Sequence, residues 1–178
     1  MTILTIADDA VDAALDAELR TLLSTCFTGP SDDVFRSRRW WKHPPRQRWM
    51  VRGDSGLIAH AAIHERIVSG GGVRLRAAGV CEVCVHPAHR GQGWVHRVLA
   101  ALHRDAAAAG YGWAMLYGRP QVYAGSGYRV AGTPCALHDE ATSQPLAPTV
   151  SPEFQIRRLR EDAPDWPTGP CDLGGPVF

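Results

Sequence analysis

The spacing of apolar positions changes several times along the chain, and each change predicts an element. Ile3, Leu4 and Ile6 cluster as an opening strand. From Val11, the residues Leu15, Leu19, Leu22, Leu23 and Cys26 return at helical spacing, which predicts a helix capped by Asp8 or Asp9 and ended by Gly29-Pro30. Val34, Phe35 and Trp40 predict a second short helix, which Pro44-Pro45 must end because proline lacks an amide and restricts the residue before it. Three extended runs follow at 47–52, 57–68 and 73–85, separated by Gly-Asp-Ser-Gly and Ser-Gly-Gly-Gly, which read as hairpin connections. After Arg90-Gly91-Gln92-Gly93 the period switches. Val95, Val98, Leu99 and Leu102 share one helix face, with Gly110 placed to stop it. Trp113 to Tyr117 predicts a strand, Pro120 to Ser126 a short helix, Tyr128 onward a strand and Phe154 to Leu159 a late strand. A strand-helix-strand unit joined to an antiparallel meander is an α/β arrangement, and with no repeat or linker one domain is expected over 1–178.

Composition narrows the function. Lys and Arg number 19 against 18 Asp and Glu, a net charge of +1 that supplies no global attraction for a polyanion. The opening MTILTIADDAVDAAL is acidic where a secretory leader is basic, and no run is apolar for long enough to span a bilayer, so a cytoplasmic location with no membrane partner is expected. Five scattered cysteines predict reduced thiols.

The chemistry concentrates in Val83-Cys-Val-His-Pro-Ala-His-Arg-Gly-Gln-Gly-Trp-Val95. Two glycines at a strand-to-helix junction let backbone approach a ligand, while the first-turn amides converge on one spot and Arg90 adds charge. Such a spot suits a phosphate or pyrophosphate; alternatively, the glycines only relieve crowding in a plain turn. Cys81-x-x-Cys84-x-His86-x-x-His89 imitates zinc spacing, but strand residues three apart face opposite sides, so no metal is expected. Gly53-Asp-Ser-Gly56 imitates a protease nucleophile motif and reads as a turn. Arg36 to Arg48, with Trp40, Trp41 and Trp49, either caps a cleft or packs on the sheet with its arginines solvated or facing an anion; base stacking is the competing reading, and nucleic acid is not the expected partner.

Arg90, Gly93 and Val95 occupy the three fixed places of a Q/R-x-x-G-x-G/A-type loop, and Tyr123-Ala-Gly-Ser-Gly127-Tyr128 follows downstream as Y-x-x-x-G-F/Y. On both matches the whole chain resembles the GNAT superfamily of acyl-CoA-dependent N-acyltransferases. Within it, the chain is similar to the aminoglycoside 2'-N-acetyltransferases through Leu57-Ile-Ala-His-Ala-Ala-Ile, Val122-Tyr-Ala-x-x-Gly and a late Cys-Asp, and to the nodulation-factor N-acyltransferases through Trp-Pro-x-Gly. The resemblance implies a GNAT-like α/β fold, a mixed, mostly antiparallel, twisted sheet flanked by helices on both faces, with acyl-CoA in a V-shaped opening between two central strands.

It also implies transfer of an acetyl or longer acyl group to a primary amine of a small molecule by direct attack in a ternary complex, with acetyl-CoA as co-substrate and no metal. Arg90, Gly91, Gln92, Gly93, Trp94 and Val95 would hold the pyrophosphate, and backbone amides near Cys84 and Val85 the oxyanion. Tyr123 would stabilise the departing thiolate. Glu82 is the candidate base for the acceptor ammonium. It stands one place later than the acid of the aminoglycoside branch, which falls at Cys81, so a regular strand turns it to the other face unless a bulge resets the register. Its alternative is an ion pair with Arg74 or Arg76. Asp32, Asp33, Asp172 and Phe178 are candidates for the acceptor, the last two because the segment from Trp166 onward, read as neither helix nor strand, would close the acceptor site with Phe178 and its carboxylate; that segment packing elsewhere stays open. An aminoglycoside acceptor, a non-catalytic CoA-binding or nucleic-acid-binding module, and a homodimer all remain open.

Overall fold

The computed structural model describes residues 2–178; Met1 lies outside them. Among the described residues, nine strands build one open, mixed, mostly antiparallel sheet flanked by helices. In chain order the elements are β1 (Ile3–Ala7), α1 (Ala13–Cys26), β2 (Gln47–Gly53), β3 (Gly56–Gly70), β4 (Val73–Val85), α2 (Trp94–Ala108), β5 (Trp113–Tyr117), α3 (Pro120–Tyr123), β6 (Arg129–Val130), β7 (Cys135–Ala136), β8 (Phe154–Arg158) and β9 (Cys171–Asp172). The described residues form two compact units, one of residues 2–64 and 80–102 and one of residues 65–79 and 103–178.

In the first unit β1, β2 and β3 pair antiparallel, with Ile3 opposite Val51 and Gln47 opposite Ile63. The stripe predicted for α1 supplies Leu19, Leu22 and Leu23, which pack with Phe35, Met50, Leu57 and Cys84. The cap of α1 is Asp12, whose carboxylate accepts from the Leu15 amide at 2.8 Å, rather than Asp8 or Asp9. Asp8 and Asp9 lie one turn earlier in a 3₁₀ turn, where Asp8 is buried and bound by arginines, so it has no freedom to cap. The helix expected through Val34 and Trp40 is only a 3₁₀ turn, Asp32–Arg36. Beyond it the backbone is tied by side chains, Arg38 to the carbonyls of Trp40 and Trp41 and Arg39 to Asp8, which replaces helical pairing.

In the second unit β4 runs parallel to β5, with Ala77 opposite Trp113, and β8 pairs antiparallel with β5 and with β6. The core joins Trp113, Met115, Phe154, Ile156, Trp166 and Leu173. Against expectation, the last segment contributes a strand. β9 pairs parallel with β7 and places Asp172 opposite Ser69 of β3. Glycines make room for it: a Cβ at Gly70 would lie 2.8 Å from the Cys171 Cβ, and one at Gly174 would lie 2.4 Å from the Ile67 carbonyl oxygen. Among the described residues no helix is long and apolar enough to cross a membrane.

Candidate functional site

The anion loop is built where β4 ends. His86 to Arg90 make a 3₁₀ turn, and Gly91 and Gly93 then both take φ of 75°, the left-handed region that a side chain disfavours. A Cβ added at either glycine would meet nothing within 4 Å, so the glycines are not there to relieve crowding within this chain. Helix α2 starts at Trp94, and its first backbone bond runs from the Arg97 amide to the Gly93 carbonyl at 3.2 Å. The amides of Trp94 and Val95 therefore lack intrahelical acceptors and point out of the helix start. Arg90 is exposed and anchored through Nε to the Val85 carbonyl at 3.3 Å, while Trp94 donates from its indole to Gln92 Oε1 at 3.2 Å. Cys84 and Val85 are buried, and the Cys84 thiol is hydrogen-bonded to Cys26, which with burial pushes its pKa well up.

Glu82 lies in β4 with φ of 53°, so the strand is not regular there, and its side chain is only 5 % exposed. Its ion-pair partner is Arg48, at 2.9 Å, and not Arg74 or Arg76; Arg76 is engaged by Glu65. The other carboxylate oxygen accepts from the Trp41 amide at 3.0 Å. Arg48 has no exposed surface and also bonds Asp8 at 2.6 Å, the Arg39 carbonyl at 2.8 Å and His60 Nε2 at 3.1 Å. A guanidinium can only donate, so His60 accepts at Nε2 and carries its proton at Nδ1, which donates to the Glu82 carbonyl at 2.9 Å. Burial first, and the Arg48 charge second, hold His60 neutral by lowering its pKa to about 3. A left-handed glutamate costs about 1–3 kcal/mol of strain, and these bonds to its carbonyl and carboxylate hold it there. Burial raises the Glu82 pKa, with Arg48 and the Trp41 amide pulling the other way.

The basic, aromatic run is thereby accounted for in part. Arg39 is clamped by Asp8 and Asp16 at 2.8 and 2.9 Å, and stacks on Trp40, rather than facing an external anion. The buried set Asp8, Arg48 and His60 escaped sequence reading. Its signal was a charged residue inside the otherwise apolar Trp49-Met50-Val51 strand and a histidine inside Leu57-Ile-Ala-His-Ala-Ala-Ile, both in strands buried on two faces.

In the second unit Tyr123 ends α3, its ring lying so close over Gly118 that a Cβ there would fall 2.5 Å from the ring. Behind it stands Tyr128, ring centroids 6.0 Å apart, whose buried hydroxyl bonds His103 Nε2 at 2.8 Å. Asp172 accepts from the Gly174 amide and pairs with His138, both at 2.7 Å. Phe178 lies over Gly79 of β4, with Tyr117 at 6.1 Å and the Arg66 guanidinium at 5.6 Å. A Cβ at Gly79 would sit 3.1–3.2 Å from three ring carbons. Gly79→Val is therefore expected to cost about 1–3 kcal/mol of stability by overpacking, and most of that cost is expected to vanish in a Phe178→Ala background. Equal costs in both backgrounds, measured by urea denaturation, would show that the ring is not the obstacle. Asp32 and Asp33 are not in either group: Asp32 accepts from the Gly29 amide and Asp33 pairs with Arg36 on the exposed 3₁₀ turn.

No group of three or more His, Cys, Asp or Glu among the described residues is arranged to hold a metal. A mixed sheet with an open, double-glycine helix start after an irregular strand marks an α/β protein with a candidate anion site. The chain matches the acetyltransferase (GNAT) domain family over residues 9–131, and it belongs to that family. Its fold is similar to a GNAT family N-acetyltransferase, YhbS, from Escherichia coli in complex with CoA, at 21% identity and a TM-score of 0.67, covering 96% of this chain and 89% of that one. It is also similar to a GNAT family acetyltransferase from Brucella melitensis in complex with acetyl-CoA, at 18% identity, a TM-score of 0.62 and coverage of 96% and 94%. Eis1 from Mycobacterium abscessus matches at 20% identity and a TM-score of 0.59, over 74% of this chain but only 33% of its own length. Among curated proteins nothing matches.

Proposed function

We propose that this GNAT protein transfers an acetyl, or longer acyl, group from acyl-CoA to a primary amine of a small molecule, by direct attack of the amine on the thioester. The observation that carries the reading is the pair of left-handed glycines before α2, open on their outer side and followed by the Trp94 and Val95 amides, which together suit the CoA pyrophosphate. Solved relatives in complex with CoA and acetyl-CoA support it. Amides near Cys84 and Val85 would stabilise the oxyanion, and Glu82 would take the proton of the ammonium, directly or through water. Tyr123 would donate a hydrogen bond to the departing thiolate; full early transfer from a phenol near pKa 10 to a thiol near 8.5 is uphill by about 2 kcal/mol.

A polycationic aminoglycoside fits less well than a small amine with one charge. Beyond Glu82, the partly or fully buried carboxylates that could receive extra ammonium groups already have partners: Asp8 and Asp16 have Arg39, and Asp172 has His138. Millimolar acetyl-CoA is expected to raise the melting temperature of the parent protein by several degrees and to leave Gly93→Asp unchanged, since aspartate adds both a strained left-handed residue and a negative charge. No shift in the parent, or an equal shift in the variant, would defeat this placement of the pyrophosphate. Thiol release across a panel of monoamines and aminoglycosides would then separate the acceptors.

A further inference from the structure

Two buried cysteines of the second unit have no part in the transfer chemistry. Cys135 and Cys171 are register partners in the parallel β7–β9 pair, and their sulfurs stand 3.2 Å apart, closer than two sulfurs in van der Waals contact. Only 4 % of Cys135 and 3 % of Cys171 is exposed. Neighbouring strands set paired Cα atoms roughly 4.8 Å apart, inside the roughly 4.4–6.8 Å span that a disulfide bridges, so register and sulfur separation both put this pair within reach of a bond. We propose that Cys135 and Cys171 are a disulfide-forming pair, oxidised by a hydroperoxide, whose bond fastens the C-terminal segment to β7.

The two thiols are not equivalent. Either sulfur can donate in the pair, and only Cys135 also has Thr133 beside it, with the Thr133 hydroxyl at 3.8 Å and the Thr133 carbonyl at 3.4 Å. The bonds to Cys171 first and to Thr133 second lower the Cys135 pKa, while Cys171 is raised. With the Thr133 hydroxyl beside it to stabilise a thiolate, Cys135 is assigned as the attacking sulfur, and mapping of the first-formed sulfenic acid tests the assignment. Its thiolate displaces hydroxide from the peroxide to give a sulfenic acid; the Cys171 sulfur then attacks that sulfur and water leaves. In sum, two thiols and one hydrogen peroxide give one disulfide and two waters.

The bond has a structural consequence because the segment it holds is otherwise lightly tied. β9 is two residues long, attached to its neighbours through the Cys171 amide on the Pro134 carbonyl at 3.0 Å and the Leu173 amide on the Ala136 carbonyl at 2.9 Å. The His138 amide then bonds the Gly175 carbonyl at 2.8 Å. Downstream come the fully buried Leu173 and the Phe178 ring over Gly79. A covalent tie at Cys171 closes a loop and keeps all of these in place in the partly unfolded chain.

The test uses the full chain, fully reduced and then exposed to hydrogen peroxide, with thiols counted in denaturant and the products mapped by mass spectrometry. The five thiols are expected to fall by two, with a single crosslinked peptide pair joining 135 to 171. The melting temperature is expected to rise by roughly 5–10 °C, and to fall back when the bond is reduced. Cys171→Ser and Cys135→Ser should each show no peroxide-dependent rise. Five thiols retained, a link formed first between Cys26 and Cys84, sulfinic acids in place of a crosslink, or a crosslink with no thermal shift would each overturn the proposal. Because the parent alone decides the crosslink, a serine variant that fails to fold does not shelter it, and acyl-transfer activity plays no part in the readout.

Discussion

Arg48→Met is expected to cost about 3–5 kcal/mol of stability, a third or more of what holds an ordinary domain folded. The reason lies in what the arginine leaves behind. Its guanidinium is fully buried and serves Asp8, Glu82, His60 and a backbone carbonyl at once. Asp8 keeps Arg39 as a second partner, but Glu82 keeps only the Trp41 amide. The stranded group is therefore Glu82, a charge inside a strand with one neutral hydrogen bond. Adding Glu82→Gln to Arg48→Met is expected to recover part of the loss, because a buried ion pair removed whole is much less harmful than one removed by half. Urea denaturation of both single variants and the double gives the coupling between them. A loss under about 1 kcal/mol for Arg48→Met, or strictly additive losses, would mean that the network contributes little to the fold.

Elements whose pattern is local were legible before any coordinates. β4 and β5 run as predicted, Val73–Val85 and Trp113–Tyr117, because an apolar run bounded by glycine or a turn carries its own limits. Helix α2 follows from its stripe, with Gly110 beyond it in the left-handed conformation. The features that sequence reading missed depend on partners far along the chain. Asp8 has the chemistry of a cap, and only a fold that brings Arg39 and Arg48 to it, 31 and 40 residues away, turns it into a buried anion. The face that Glu82 presents depends on one backbone angle, set in turn by His60 and Arg48. β9 exists because Gly70 and Gly174 lack side chains, which composition registers only as flexibility. The glycine loop was readable as a candidate ligand site because an anion receptor needs residue types at fixed spacing; an acceptor amine imposes no such spacing on the chain.

Glu82→Gln is expected to lower kcat by about 10²–10⁴-fold while leaving the KM for acetyl-CoA within a few-fold, if the carboxylate takes the ammonium proton. Glutamine keeps the volume and an oxygen for the Trp41 amide, so the substitution removes basicity with less damage than alanine would. One oxygen of Glu82 is held by Arg48 and the other by the Trp41 amide, so the proton must arrive at a remaining lone pair or through a water. The direction of its pKa matters here. Burial raises it, which brings the carboxylate nearer the working pH and makes it a stronger base than an exposed glutamate. The sign follows: the base is competent only above its raised pKa, so activity is lost as pH falls through a value higher than the ordinary 4.5. The kcat–pH profile of the parent should show that acid limb, and Glu82→Gln should lose it, keeping only the limb set by the acceptor amine. A purely structural glutamate makes the opposite prediction, with a lower melting temperature, weaker CoA binding and an unchanged profile in the residual activity. If the variant binds acetyl-CoA, keeps kcat within about three-fold and retains the acid limb, the proton leaves by another route, and waters held by backbone carbonyls become the place to look.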